Sequence, residues 1–258
     1  HRSGHSFPTR RSSDLGKTVK ENLKRKIEVN RKVIKTFKES LTDNAGFLVM
    51  KGNFFSSAIM KTSVISPEFR ERYLSDPKHP NVFKGKAVVF EGPEDYHNRI
   101  NSKKLKITEK SILIIRGCGP VGYPGAAEVV NMQPPDRLLK KGINALPTLG
   151  DGRQSGTSES PSILHVSPES AIGGDLAIIK TGDNMCIDLN KRRVDLLISK
   201  TEFKKRRKKI KVIKFDNQTP WQEISRSNVG QLEDGACIRS RGLYIDIAEK
   251  KGIPRNNH

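Results

Sequence analysis

The chain is poor in the residues that would staple, stack or anchor it. Its 258 residues include three cysteines and one tryptophan, and aromatics make up 6%. Cys118, Cys186 and Cys237 form no CxxC pair and no metal-type spacing. An odd number of such residues argues against a disulfide framework and for a reducing, cytoplasmic setting. An iron–sulfur cluster needs several thiolates together, so each cysteine reads better as a small buried hydrophobe. No apolar run approaches the roughly 18–20 residues that a membrane-spanning helix needs.

Positive charge is abundant: 48 Lys and Arg stand against 28 Asp and Glu, a net charge of +20. Much of the excess lies in 204–214, Lys-Lys-Arg-Arg-Lys-Lys-Ile-Lys-Val-Ile-Lys. Such a run reads as a solvated helix end leading into a strand. A basic nucleic-acid-binding module is the alternative, and it predicts binding that falls steeply with salt. No aromatic side chains interleave the run to stack on bases, which weighs against that alternative. Hydrophobic residues make up 34%, and a chain of this length can bury a real core.

Residues 1–15 read like a translated sequencing adapter (His5-Ser6-Phe7-Pro8-Thr9-Arg10-Arg11-Ser12-Ser13-Asp14-Leu15) and are set aside from fold reasoning. The expectation is then a C-terminal fragment whose natural start is missing. Residues 16–44 are polar, with irregularly spaced apolar positions, and read as a connecting segment with a short helix. Residues 45–258 show short apolar runs punctuated by Gly, Pro and Asp. Strands are expected at 47–50, 87–90, 112–116, 176–180, 185–188 and 194–198, and helices at 93–100, 125–132, 134–141, 201–208 and 241–250. Many short strands between turn signals suggest a β-barrel or sandwich. The fold class is β-rich α/β, a β core with helices outside.

Two loops carry the chemistry. Gly150-Asp151-Gly152-Arg153-Gln154-Ser155-Gly156-Thr157-Ser158 places a serine among glycines that let backbone approach a ligand closely. Gly117-Cys118-Gly119-Pro120-Val121-Gly122-Tyr123-Pro124-Gly125 forces a sharp turn ahead of Glu128. Glu128, read in the first turn of a helix, is either a surface carboxylate facing the helix dipole or a hard-metal ligand.

These loops, with Gly52-Asn53, Arg116-Gly117, Tyr123-Pro124-Gly125-Ala126-Ala127-Glu128 and Ser167-Pro168-Glu169 in order, closely resemble the C-terminal domain of the dihydroxy-acid/phosphogluconate dehydratase family. The resemblance covers essentially all of 16–258. Ser57-Ala58-Ile59-Met60-Lys61-Thr62-Ser63, Glu91-Gly92-Pro93-Glu94-Asp95-Tyr96-His97 and Gln154 look like the sugar-acid (pentonate) branch. The ending Gly252-Ile253-Pro254-Arg255-Asn256-Asn257-His258 is similar to that branch's, and so reads as natural.

The resemblance implies a swivelling β-barrel domain flanked by helices, packed in the family against a cluster-binding domain. It implies a hydro-lyase that dehydrates a pentonate such as arabinonate or xylonate to a 2-keto-3-deoxy acid. Ser155 would be the general base, Thr157 and Arg153 substrate-binding residues, and Glu128 a Mg²⁺ ligand. Bracing the loop is the plainer role for Arg153. An iron–sulfur cluster ([2Fe-2S] or [4Fe-4S]) would act as Lewis acid, with its ligands in an N-terminal domain absent here and none in this chain. A serine needs nearby positive charge to act as an alkoxide. The implied partners are the sugar acid, the missing domain and further copies in a dimer or tetramer. An exposed apolar interface is expected where the missing domain would pack, and the chain alone is expected to be inactive. The enzyme alternative is dihydroxy-acid dehydratase of branched-chain amino-acid synthesis.

Two positions depart from the sugar-acid pattern. Glu159 stands where that branch has glycine, which puts a negative side chain beside the serine loop and opens the reading of a degenerate relative. His165 stands where it has asparagine and the branched-chain branch has histidine; a hydrogen-bonded structural histidine is expected there.

Overall fold

Eight strands among the described residues close into a barrel. They are β1 (Phe47–Gly52), β2 (Ser57–Lys61), β3 (Val82–Glu91), β4 (Ser111–Arg116), β5 (Thr148–Gly150), β6 (Ser162–Ser167), β7 (Asn184–Asp188) and β8 (Arg193–Leu196). Their order around the barrel is β1-β2-β6-β5-β4-β3-β7-β8. The computed structural model describes residues 21, 24, 30–41, 45–126, 128, 132–153, 159–212, 214–240, 247 and 250. The chain divides into two compact units, His1–Asp43 and Asn44–His258. In the described part of the first, Glu21 is helical and the rest is turns and irregular backbone with one 3-10 turn, Phe37–Glu39. The barrel belongs to the second.

The strand directions decide where a site can form. Strands β3, β4, β5 and β6 run parallel to one another, and β8 runs parallel to β1. Only β2 and β7 run against their neighbours. The carboxyl ends of six strands therefore share one rim. Gly52-Asn53, Arg116-Gly117, Gly150-Asp151 and Ser167-Pro168-Glu169 all stand at that rim, at the ends of β1, β4, β5 and β6.

The core explains the apolar runs. Ala87, Val89, Ile112 and Ile114 face a cluster that includes Met50, Phe54, Met60 and Ile187. Alternate residues Val88, Phe90, Leu113 and Ile115 face a second cluster with Tyr96, Ile100, Leu138 and Leu146. A strand covered on both faces must be apolar throughout, which is the reason for Ile112-Leu113-Ile114-Ile115.

The expected strands at 47–50, 112–116, 185–188 and 194–198 are present, and 87–90 is the end of the longer β3. Residues 176–180 form no strand; Asp175–Ile178 is a 3-10 turn. Its apolar side chains are buried, but the Arg116 guanidinium donates to the carbonyls of Ala177 (2.8 Å) and Ile179 (3.1 Å), so these do not join a ladder. Strands β2, β5 and β6 are additions to the expected set.

Five α-helices are described: α1 (Pro67–Tyr73), α2 (Pro93–Arg99), α3 (Asp136–Leu139), α4 (Lys200–Arg207) and α5 (Pro220–Asn228). Three match expectation, with α3 shortened to one turn. Helices α1 and α5 are additions; Ser66 and Thr219 cap them, and proline occupies the first position of each. The helix expected at 125–132 is corrected where it can be seen. Gly125, Ala126, Glu128 and Met132 are not helical, and Gly125 and Ala126 take φ of 90° and 46°, which a right-handed helix cannot continue through. The helix expected at 241–250 lies largely outside the described residues.

Gly150 marks a tight point of the rim. A Cβ there would lie 2.5 Å from the carbonyl oxygen of Ile115 on β4, whereas one on Gly46 would meet nothing within 4 Å. Gly150→Ala is expected to cost about 1–3 kcal/mol by overpacking, and Gly46→Ala well under that. Thermal unfolding of the two variants checks this.

Candidate active site

Two buried carboxylates organise the rim. Asp151, at the end of β5, is fully buried. Its Oδ1 accepts from the Cys118 N–H (2.8 Å), and its Oδ2 from the N–H groups of Gly117 (3.1 Å) and Ser170 (3.0 Å). The Ser170 hydroxyl also donates to Oδ2, at 2.6 Å. One side chain thus ties together the loops that follow β4, β5 and β6.

Glu169, also fully buried, accepts from the N–H groups of Val121 (2.9 Å) and Gly122 (2.8 Å) and from Gln231 Nε2 (2.8 Å). Gly119 must be glycine for this approach, since a Cβ there would stand 2.4 Å from the Glu169 carboxylate. Burial raises the Glu169 carboxyl above the ordinary glutamate range, the N–H donors oppose that rise, and the Asp151 charge adds to it. Neither carboxylate forms an ion pair among the described residues. Backbone N–H groups do the neutralising, as they do in anion-binding turns.

Arg116 and Asn53 prove to be braces. Arg116 pairs with Glu91 through Nε (2.9 Å) while its Nη1 holds the 175–178 turn. The Asn53 amide exchanges two hydrogen bonds with the backbone of Leu196, each 2.9 Å. Cys118 is buried, and its thiol is pushed up by that burial and then by Asp151, so it is no reactive thiolate.

Of the residues expected to carry the chemistry, Ser155 and Thr157 lie outside the described residues. Arg153 and Glu128 are described, and both are exposed. Arg153 Nε donates to the Ala126 carbonyl at 2.5 Å, which joins the start of the serine loop to the segment carrying Glu128. The bracing role expected of Arg153 is therefore visible, and its guanidinium has no carboxylate partner among the described residues. Among the described residues no group of three or more His, Cys, Asp or Glu side chains could hold a metal ion.

A cavity of about 630 Å³ opens at this rim, lined by Arg153, His165 and Ala126 and walled by Trp221, Ile224 and Ile238. Trp221 is 78% exposed and Ile238 62%. His165 departs from its expected part as a hydrogen-bonded structural residue. Its Nε2 is buried and has no hydrogen-bond partner among the described residues. Burial, then the Arg153 charge, holds the imidazole below the ordinary histidine value.

Glu159 is not at this rim. It lies three residues before the start of β6, its carbonyl accepts from the Ser66 N–H (3.0 Å), and it lines a separate cavity with Glu68 and Arg72. The connection from β5 to β6 runs from one end of the barrel to the other, so Glu159 and Arg153 stand at opposite ends. Two arginines of the basic run are structural: Arg206 pairs with Asp183 and Glu202, and Arg207 with Asp175 at 3.0 Å.

Residues 32–236 match the family described as dihydroxy-acid/6-phosphogluconate dehydratase, C-terminal. The chain is 54% identical over 243 residues to the D-xylonate dehydratase of Caulobacter vibrioides, covering 94% of the chain and 40% of that protein. It is 41% identical over 192 residues to the L-arabinonate dehydratase of Rhizobium leguminosarum bv. trifolii, covering 74% and 31%. Against the dihydroxy-acid dehydratase of Clostridium kluyveri it is 36% identical, covering 92% and 40%. The chain thus spans two fifths or less of the length of these relatives.

Asp151→Ala would leave the N–H groups of Cys118 and Ser170 and the Ser170 hydroxyl without their acceptor, while the Gly117 N–H keeps Ser170 Oγ at 2.9 Å. At about 1–3 kcal/mol per buried group, partly relieved by water, a loss of about 3–5 kcal/mol is expected in chemical denaturation. Glu169 predicts a pH effect. Its carboxyl binds protons more tightly folded than unfolded, so stability should fall as pH rises from the ordinary glutamate range through the raised value. Comparing that slope with Glu169→Gln checks it; equal slopes would refute the assignment.

Proposed function

Because the chain belongs to the dihydroxy-acid/6-phosphogluconate dehydratase family, we propose that it is the C-terminal part of a hydro-lyase acting on a sugar acid. The substrate is a pentonate such as xylonate or arabinonate, and the product a 2-keto-3-deoxy acid. The higher identity to the xylonate and arabinonate dehydratases than to the dihydroxy-acid dehydratase supports the sugar-acid reading. The observation that carries it is the gathering of the resembling motifs at one rim, bound together by the Asp151 carboxylate.

Ser155 removes the C2 proton as general base. Thr157 and the Arg153 guanidinium contact the substrate, whose carboxylate suits a planar cation. The anchoring of Arg153 to Ala126 holds the start of the serine loop against the mouth of the cavity. Orientation of this kind is worth many-fold in rate, because it converts an encounter into a positioned reaction.

The metals are implied by the family and differ in fit. Glu128 is an exposed oxygen donor of the kind Mg²⁺ takes, so this chain offers that ion one ligand. Mg²⁺ at such a site stabilises negative charge developing on substrate oxygens. The described residues do not fit an iron–sulfur cluster: Cys118 is buried on the core side of the rim, and Cys186 and Cys237 sit in β7 and near the 232–234 turn. Cluster ligands belong to the part of the relatives that this chain does not span. The setting is cytoplasmic, the assembly a dimer or tetramer, and the chain alone inactive. Among the described residues no helix is long and apolar enough to cross a membrane.

A hybrid in which this chain replaces the matching part of the Caulobacter protein is expected to dehydrate D-xylonate or L-arabinonate when prepared anaerobically with Mg²⁺. Ser155→Ala should reduce turnover by at least about a thousandfold, the scale of losing a proton-transfer group, and the chain alone should show none. Turnover of 2,3-dihydroxyisovalerate alone would overturn the sugar-acid reading.

A further inference from the structure

His165 combines three features that a merely structural residue has no use for. It takes φ of 58° inside strand β6. Across the β2–β6 pair, Ile59 faces Leu164 while Ser57 faces Ser167, so β6 carries one extra residue, a bulge at 165–166. In bulges of this hand the left-handed position is ordinarily glycine, and a non-glycine residue there costs on the order of 1–3 kcal/mol. The buried Nε2, without a partner among the described residues, adds a cost of similar size. Both fall on one side chain, at a cavity.

The bulge explains the geometry. An extra residue breaks the alternation of β6 and re-aims the side chain, a device found beside active sites. The imidazole consequently lines the rim cavity with Arg153, rather than joining the core cluster that holds Ile163 and Val166. Among the described residues the Arg153 guanidinium has no carboxylate partner and His165 Nε2 no hydrogen-bond partner, and both line a cavity walled in part by Trp221 and Ile224. A cation and a separate hydrogen-bonding nitrogen suit an acid that also bears hydroxyl groups.

We propose that His165 is a specificity-determining residue of this cavity, its Nε2 making a hydrogen bond to a hydroxyl group of a polyhydroxylated carboxylic acid whose carboxylate lies towards Arg153. The substrate class rests on the proposed function; the assignment of His165 rests on the bulge, the unpaired nitrogen and the cavity. A site built to hydrogen-bond a hydroxyl discriminates strongly against an analogue lacking it, because the site's own polar group is then left unpaired. Burial also keeps the imidazole neutral at neutral pH, so it does not compete with Arg153 for the carboxylate.

The test uses the 258-residue chain, ¹⁵N-labelled, with the imidazole nitrogens observed by long-range ¹H–¹⁵N correlation and the His165 signal assigned by its loss in His165→Asn. D-xylonate should shift the His165 signal saturably. Valerate, a five-carbon acid without hydroxyl groups, should bind at least tenfold more weakly. His165→Leu should remove that preference while leaving binding of the acid group, and His165→Asn, which tolerates the backbone and keeps hydrogen-bonding atoms, should retain most of it. The labelled wild-type titration tests the proposal even where a variant fails to fold. Xylonate binding that leaves the His165 signal unmoved, equal affinity for the two acids, or no xylonate binding up to its solubility limit would each overturn the proposal. Failure of the dehydration reading shows separately, in the turnover of the hybrid and its dependence on Ser155.

Discussion

The rim depends on a buried carboxylate that no positive side chain pairs with among the described residues. Asp151 is buried at the end of β5 and is held by three backbone N–H groups and one hydroxyl. A buried carboxylate without donors would be expelled or protonated; supplied with donors, it becomes a rigid joint. Asp151 joins the starts of the three loops that follow β4, β5 and β6. Glu169 makes a second joint of the same kind one step further out, reaching Val121, Gly122 and Gln231. Glycines at 117, 119 and 122 let backbone, rather than side chains, meet these carboxylates.

The barrel makes that arrangement possible. Four consecutive parallel strands, β3 to β6 around the wall, deliver their carboxyl ends to one rim. The return of the chain from β5 to β6 must then travel the full height of the barrel. That requirement separates the two ends of one loop: Arg153 stays at the rim, and Glu159 meets Ser66 at the far end. A position six residues from Arg153 in sequence is therefore remote from it in space.

How much of this could be read from the residues differs by element. Strands whose apolar residues bury on both faces, such as 112–116, announce themselves. β5 and β6 do not, because Thr148, Ser162 and Ser167 are buried polar residues satisfied locally; Thr148 Oγ1, for one, donates to Ser162 Oγ at 2.9 Å. The 176–180 run misleads in the opposite direction, since its burial depends on Arg116, sixty residues earlier. The loop sequences point to the rim, yet the roles of Asp151 and Glu169 within them do not show, because each needs a partner from a different loop. Helices α1 and α5 do carry a legible signal, a capping hydroxyl followed by proline in Ser66-Pro67 and Thr219-Pro220.

His165 is a residue whose local rules disagree. Strand position, left-handed backbone and buried unpaired nitrogen each work against a histidine, and no packing gain offsets them, since the ring lines a cavity rather than the core. Conflicts of this kind in an otherwise consistent fold are expected where function overrides stability. Asparagine, which the sugar-acid branch carries there by resemblance, tolerates the left-handed region and also offers hydrogen-bonding atoms. The shared property of the two residues is then a polar tip presented from a bulge, not a titratable charge. That favours recognition of a neutral group over proton transfer at this position.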